Sequence, residues 1–189
     1  MAVARSTSMT AVEYLRLPES FPRTQLIDGE IIVTEASPRH QAIVSWLLVE
    51  LTLWTRAGDD RGRVSISVDT QLDDLTVAAP DIWWSRSANV PSGKGFLGGP
   101  VPDLVVEVLS PSTRRYDLGP KRSKYESAGV SELWLVDPKT DRVTVLRGGP
   151  GDVLTGFDQT LELATGDTLT SPLFPGLSIG LADLFAPRT

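Results

Sequence analysis

Residues 103–110 read Asp-Leu-Val-Val-Glu-Val-Leu-Ser, a nearly continuous apolar run broken by one carboxylate, Glu107. A run of this kind reads as a strand buried on both faces, which is what a central parallel strand needs. A helix pattern follows over residues 117–128. Pro120 lies in its first turn, where backbone donors are free anyway, and Gly129 closes its end. Glu132 to Val136 (Glu-Leu-Trp-Leu-Val) forms another buried strand, ending at Asp137-Pro138. Strand, helix and strand of this length make a right-handed crossover between parallel strands. That unit decides the fold class: α/β (α+β), mixed structure around one central sheet.

The rest arranges itself around this unit. Val77 to Ser85 holds Pro80-Asp81 followed by Ile82, Trp83 and Trp84, and reads as a strand. So does Arg63 to Asp69, which alternates with Val64, Ile66 and Val68 on one face. A Gly- and Pro-rich loop, Asn89 to Pro102, precedes the central strand. Further upstream, Ser37 and Pro38 open a helix that runs to about Arg56. Its apolar residues, Ile43, Val44, Leu47, Leu51 and Trp54 among them, cover so wide a surface that it must be packed on several sides. Asp28-Gly29 between Gln25-Leu-Ile and Glu30-Ile-Ile-Val is a strong hairpin signal. Thr10 caps a short helix, Ala11 to Leu17, stopped by Pro18. Beyond the crossover, Val143 to Leu146, Gly148 to Gly151, Thr160 to Ala164 and Leu177 to Ile179 carry strand and turn signals, and Leu181 to Phe185 a last short helical turn. Residues 1–9 are expected to be a loose tail and residues 10–189 one domain.

Composition narrows the chemistry. The 189 residues carry 18 Lys plus Arg against 24 Asp plus Glu, a net charge of −6, with 41% apolar and 22% charged residues, which is a globular balance. No apolar run approaches the ~20 residues of a membrane span and no signal peptide opens the chain. With no cysteine either, a cytoplasmic protein without membrane contact is expected. Absence of cysteine excludes disulfides, thiolate zinc sites, iron–sulfur clusters and a cysteine nucleophile. The single histidine, His40, excludes a multi-histidine metal site. Any metal must be held mainly by oxygen, which points to Mg²⁺, Mn²⁺ or Ca²⁺. An acidic chain is not an evident nucleic-acid binder, since phosphate contacts want Lys and Arg.

The carboxylate inside the apolar strand is the most unusual feature. Burying Glu107 unpaired would cost several kcal/mol, so it must be paired, for instance with Arg114 or Arg115, protonated, or bound to a cation. Asp81 stands in a strand of similar character and reads as a turn acid or a ligand. Asp103 reads as the residue that starts the Glu107 strand, and Glu30 as a hairpin charge, solvated or turned inward. From Ser110 to Lys124 there are five basic residues, Arg114, Arg115, Lys121, Arg122 and Lys124, and one acid, Asp117. This local excess is either a solvated helix face or the place where phosphate approaches. His40 is the one candidate for a histidine base, and its place near a helix N-terminus would depress its pKa. The chain has no Gly-x-Ser-x-Gly, and its glycines match neither a phosphate-binding loop nor a dinucleotide fingerprint.

Several segments, in order and at matching spacing, resemble the Uma-two family, described as restriction endonucleases. They are Thr10 to Glu30 with its Leu-Ile-Asp-Gly-Glu end, Ser37 to His40, Ala-Pro-Asp-Ile ending at Ile82, and Pro102 to Ser112. The best match is Asp117-Leu-Gly-Pro-Lys121 with Lys124-Tyr125, Ala128-Gly-Val130 and Glu132 to Pro138. The resemblance spans roughly Thr10 to Phe185. It implies the PD-(D/E)XK nuclease superfamily and a restriction-endonuclease-like core: a central mixed β-sheet flanked by helices, with an N-terminal hairpin and C-terminal small strands. It further implies an endonuclease acting on DNA, with Asp81 and Glu107, joined by Glu30, holding Mg²⁺ (or Mn²⁺). The usual lysine two residues after the second acid is Leu109 here, and the family lysine maps to Lys121. His40, Lys124 and Tyr125 take supporting places, and Arg114, Arg115 and Arg122 are candidates for DNA contact. Gln25 stands where the family often has Glu. Cutting both strands commonly takes two sites, so a homodimer is the natural assembly. The alternative is a nuclease-fold module that binds or regulates without cutting; the Leu109 and Gln25 departures favour it.

Overall fold

A computed structural model of the chain describes residues 8–18, 23–148 and 156–186. Residues 1–7 of the expected tail, and 149–151 of the expected Gly148–Gly151 turn, lie outside them. Met9 is not loose: its N–H donates to the Gly29 carbonyl at 3.1 Å.

Helix α1 (Ala11–Tyr14) is shorter than its pattern suggested and begins with a capping box between Thr10 and Glu13. Strands β1 (Thr24–Ile27) and β2 (Glu30–Val33) form the hairpin. Both turn residues, Asp28 and Gly29, have positive φ (50° and 79°), as the tight turn demands. Helix α2 (Pro38–Arg56) starts at Ser37, whose hydroxyl accepts from the His40 N–H. Next come β3 (Arg63–Ile66), β4 (Thr70–Asp73), β5 (Thr76–Ala78), β6 (Ile82–Ser85) and β7 (Leu104–Val108). The expected helix over 117–128 is split into α3 (Arg114–Asp117) and α4 (Pro120–Ala128). Strands β8 (Glu132–Asp137), β9 (Arg142–Gly148), β10 (Phe157–Ala164), β11 (Thr168–Leu169) and β12 (Ile179–Gly180) and helix α5 (Leu181–Phe185) complete the described chain.

The main sheet runs β10-β9-β8-β7-β6-β3. Its β7–β8 pair is parallel, joined through α3 and α4, and the other pairs are antiparallel. This is a mixed α+β architecture with a central mixed sheet flanked by helices. One sheet face, with Leu104, Val106 and Val108 of β7, packs on Ile43, Val44, Leu47 and Leu51 of α2. The other, with Val105, Leu133 and Leu135, packs on Tyr125 of α4 and on Ile27 and Ala78 of a second sheet, β2-β1-β5-β4.

The segment read as one strand, Val77 to Ser85, is two. It leaves the smaller sheet after Ala78 and joins the main sheet at Ile82. Pro80 is the physical reason, because it has no N–H to give to a ladder inside a sheet. The switch places Asp81 at the head of β6, one position beyond the last paired residue, Ile82↔Val106.

Candidate active site

Two antiparallel neighbours directly opposite each other share a sheet face. Extending the β6–β7 register by one residue sets Asp81 opposite Glu107. The odd-numbered residues of β7 face α4, so the buried carboxylate of the central strand meets that helix rather than α2. A cleft of about 720 Å³ opens at this end of the sheet, with Gln25, His40, Asp81, Glu107, Ser110 and Lys121 among its lining.

Glu107 is 4% exposed and Lys121 2%. The Lys121 ammonium stands 2.7 Å from Glu107 Oε1 and 2.9 Å from Asp117 Oδ1. Tyr125, one helical turn beyond Lys121, donates its hydroxyl to the same Glu107 oxygen at 2.6 Å. Glu107 is therefore paired with Lys121, not with Arg114 or Arg115. Asp117 is itself buried, and its other oxygen accepts from the Thr113 hydroxyl at 2.7 Å. Thr113 and Ser110, whose hydroxyls are 2.9 Å apart, carry this network back to the cleft.

Burial pushes the Glu107 carboxyl up to about 8, Asp117 and Asp81 adding to the rise against the pull of Lys121. Burial opposes the Lys121 charge too, but the Glu107 and Asp117 carboxylates outweigh it and raise its pKa. Desolvation also holds the Tyr125 hydroxyl well above its ordinary value, which keeps it a donor.

His40 reaches Asp81 from the start of α2, with Nε2 3.1 Å from Oδ2. A carboxylate only accepts, so the ring carries its proton on Nε2. The same Oδ2 accepts from the Val108 N–H at 2.8 Å. Burial disfavours a charge on His40, yet the bond to Asp81 and the nearby Glu107 raise its pKa. The depression expected from the helix N-terminus is overridden. His40 Nδ1 is buried without a hydrogen-bond partner among the described residues.

All these protein bonds fall on one oxygen of each acid, Asp81 Oδ2 and Glu107 Oε1. Asp81 Oδ1 and Glu107 Oε2 are left without a protein partner among the described residues, and both acids line the cleft. Two such oxygens suit a hard cation that keeps most of its water. No group of three His, Cys, Asp or Glu among the described residues could hold a metal.

Glu30 does not join the two acids. It stands exposed at the start of β2, beside the hairpin turn, and does not line the cleft. Gln25, two residues before Ile27 on the paired strand β1, lies in the cleft instead, its Oε1 accepting from the Ala79 N–H at 3.1 Å. Lys124 is also outside, bridging Asp28 at 2.9 Å and Asp73 at 2.6 Å. Arg114 pairs with Asp137 at 2.9 Å, Arg115 lies over the Tyr116 ring, and neither they nor Arg122 line the cleft. Asp103, at the far end of β7, ties down the following loop of β6 through the Arg86 N–H and Asn89. The sequence reading gave Asp117 no role at the site, although its i, i+4 spacing from Lys121 is the signature of an ion pair. It also missed Arg23, which lines the cleft mouth with no local pattern to announce it.

The family Uma2, described as "Putative restriction endonuclease", matches residues 11–182. A crystal structure described as "a putative nuclease belonging to DUF820", from Anabaena variabilis ATCC 29413, superposes with a TM-score of 0.80 at 22% identity. The match covers 94% of this chain and 97% of that one. At that identity it shows a shared fold. No curated protein matches the chain.

Proposed function

The chain belongs to the Uma2 family, and from that premise we propose that it is a divalent-metal-dependent endonuclease of the PD-(D/E)XK kind that hydrolyses DNA phosphodiester bonds. The observation that carries this reading is the placement of Asp81 and Glu107. Both acids line a common cleft, each keeps one carboxylate oxygen without a protein partner among the described residues, and a buried ammonium stands beside Glu107.

The free oxygens of Asp81 and Glu107 would hold Mg²⁺ or Mn²⁺, with water and substrate oxygens completing the shell. Such a cation supplies Lewis-acid polarisation of the phosphodiester and water of lowered pKa. The protein residues do the rest. His40 and the Val108 N–H fix Asp81 through Oδ2, which leaves Oδ1 for ligation. Tyr125 and Lys121 fix Glu107 through Oε1 in the same way. An ammonium has three donors. Lys121 directs two at Glu107 and Asp117, so one remains for the substrate, where it would offset the charge that grows on the phosphoryl oxygens. Asp117 keeps that ammonium charged when a cation claims Glu107.

A second reading, a nuclease-fold module that binds without cutting, draws on the lack of a third acid grouped with Asp81 and Glu107 among the described residues: Glu30 is out of the cleft and Gln25 takes the inward place. Incubation with plasmid and oligonucleotide DNA plus Mn²⁺ separates the two. Cleavage by wild type that is lost in Asp81→Ala supports the enzyme, and DNA binding without cleavage supports the module.

A further inference from the structure

The basic run that the sequence nominates for nucleic acid is largely spent inside the protein. Arg114 and Lys124 are paired with carboxylates, Lys121 is buried, and Arg115 is stacked on Tyr116. Among the described residues, the basic side chains that line the cleft are Lys121, His40 and Arg23. Lys121 is committed to the buried Glu107 and Asp117, and His40 to the half-buried Asp81. Arg23 is not: its side chain is 47% exposed, and its ion-pair partner Asp69, equally open to water, stands 3.9 Å away. An exposed pair at that distance contributes little. One further guanidinium bond, to the Ser67 carbonyl at 3.0 Å, leaves most of its five donors without a partner among the described residues.

Arg23 and Gln25 are two apart in extended chain, so they share a side of it, and both line the cleft. Arg23 lies at the mouth. Gln25, 7% exposed, lies deeper. Its Oε1 is bound by the Ala79 N–H, two residues before Asp81. Its amide N–H donors have no protein partner among the described residues. This edge of the cleft therefore offers donors in a row, with a fixed positive charge at the outer end, leading towards Asp81.

We propose that Arg23 and Gln25 form a phosphate-binding strip that grips the nucleic-acid backbone beside the phosphodiester held at Asp81 and Glu107. The inference rests on the nuclease reading of that site. A guanidinium presents paired donors to phosphate oxygens, and the neutral amide adds hydrogen bonds without a further charge. Glu35, exposed on the same cleft lining, opposes the strand by like charge.

The test is titration of a fluorescent oligonucleotide with the full chain in the Asp81→Asn background with Mg²⁺, where turnover is blocked, alongside cleavage by the otherwise wild-type protein. Arg23→Gln is expected to weaken binding about tenfold and to lower the slope of log K against log salt by about one. Arg23→Lys should keep the slope, because the charge remains. Gln25→Ala should weaken binding severalfold with the slope unchanged, and Glu35→Gln should tighten it. Arg115→Gln should leave binding within about twofold of the parent. Thermal melting of each variant checks that it is folded; the exposed Arg23 carries the test if Gln25→Ala melts early. Parent-like binding by Arg23→Gln in a protein whose wild type cleaves DNA overturns the strip and leaves the nuclease reading standing. A wild type that neither binds nor cleaves overturns that reading, and the strip with it.

Discussion

Lys121 Nζ and Glu107 Oε1 lie 2.7 Å apart in the protein interior. This pair joins the central strand to the helix that follows it. It returns to the sheet face the ammonium that Leu109, further along the strand, does not provide. Lys121→Met should reduce DNA cleavage by about a hundredfold or more, while Mn²⁺ still binds, as titration calorimetry would show. Removing one partner of a buried pair costs about 3–5 kcal/mol if the other stays charged. Glu107 can take a proton instead, so the variant should fold with a lowered melting temperature. Cleavage at the wild-type rate would take Lys121 out of the chemistry.

Asp81 and Glu107 should bind the cation together. Mn²⁺ is expected to raise the melting temperature of wild type and to leave Asp81→Ala and Glu107→Gln unmoved. At a concentration of about 100 times the dissociation constant the gain is about 2.7 kcal/mol. Equal stabilisation of all three proteins would put the cation elsewhere.

Glu30→Gln should change neither Mn²⁺ binding nor cleavage by more than about twofold, since an exposed hairpin charge outside the cleft is screened. A loss comparable with that of Asp81→Ala would mean that the hairpin rearranges when substrate binds.

His40 touches Asp81 and holds its orientation. Groups that orient a metal ligand are typically worth about 10–100-fold in activity or metal affinity, and His40→Ala should fall in that range. Its buried Nδ1 has no partner among the described residues, so the substitution removes an unsatisfied atom as well as a bond and should cost little stability. Inactivation as deep as that of Asp81→Ala would instead make the imidazole the general base.

Without metal, stability should fall as pH rises above the acid range. Glu107 goes from an ordinary 4.5 in the unfolded chain to about 8 in the fold, so between those values the folded state holds the extra proton. Its stabilisation is complete below the lower value and is lost as pH rises through the upper one. His40, whose pKa is also raised, works in the same direction: its contribution is present below its unfolded value and is lost above its folded one. Urea midpoints from about pH 5 to about pH 9 should decline, and Glu107→Gln should flatten the decline. Mn²⁺ affinity should run the opposite way, rising up to about tenfold per pH unit until Glu107 is deprotonated.

The sequence by itself determined the architecture and singled out Glu107 as a carboxylate inside it. Periodicity made β7 and β8 buried strands and the segment between them a crossover, the Asp28-Gly29 turn closed the hairpin, and a charge inside Val-Val-Glu-Val-Leu marked Glu107. Those are local signals, written in the order of neighbouring residues. Pro80 was equally legible, yet the strand reading ran through it, because a proline shows where a ladder must stop but not which sheet the chain joins next. Tertiary structure alone decided the partners. That Lys121 sits between Glu107 and Asp117 while Lys124, three residues on, turns away to Asp28 and Asp73 depends on how α4 packs across the sheet. That Gln25 faces the cleft and Glu30 the solvent depends on the packing of the β1–β2 hairpin. Charge carries no periodicity that distinguishes a spent cation from a free one, so the run from Arg114 to Lys124 read as a basic patch. Only the positions of distant carboxylates, Asp137, Asp28 and Asp73, reveal that much of it is neutralised, and only the packing of β1 brings Arg23 to the cleft as the open cation there among the described residues.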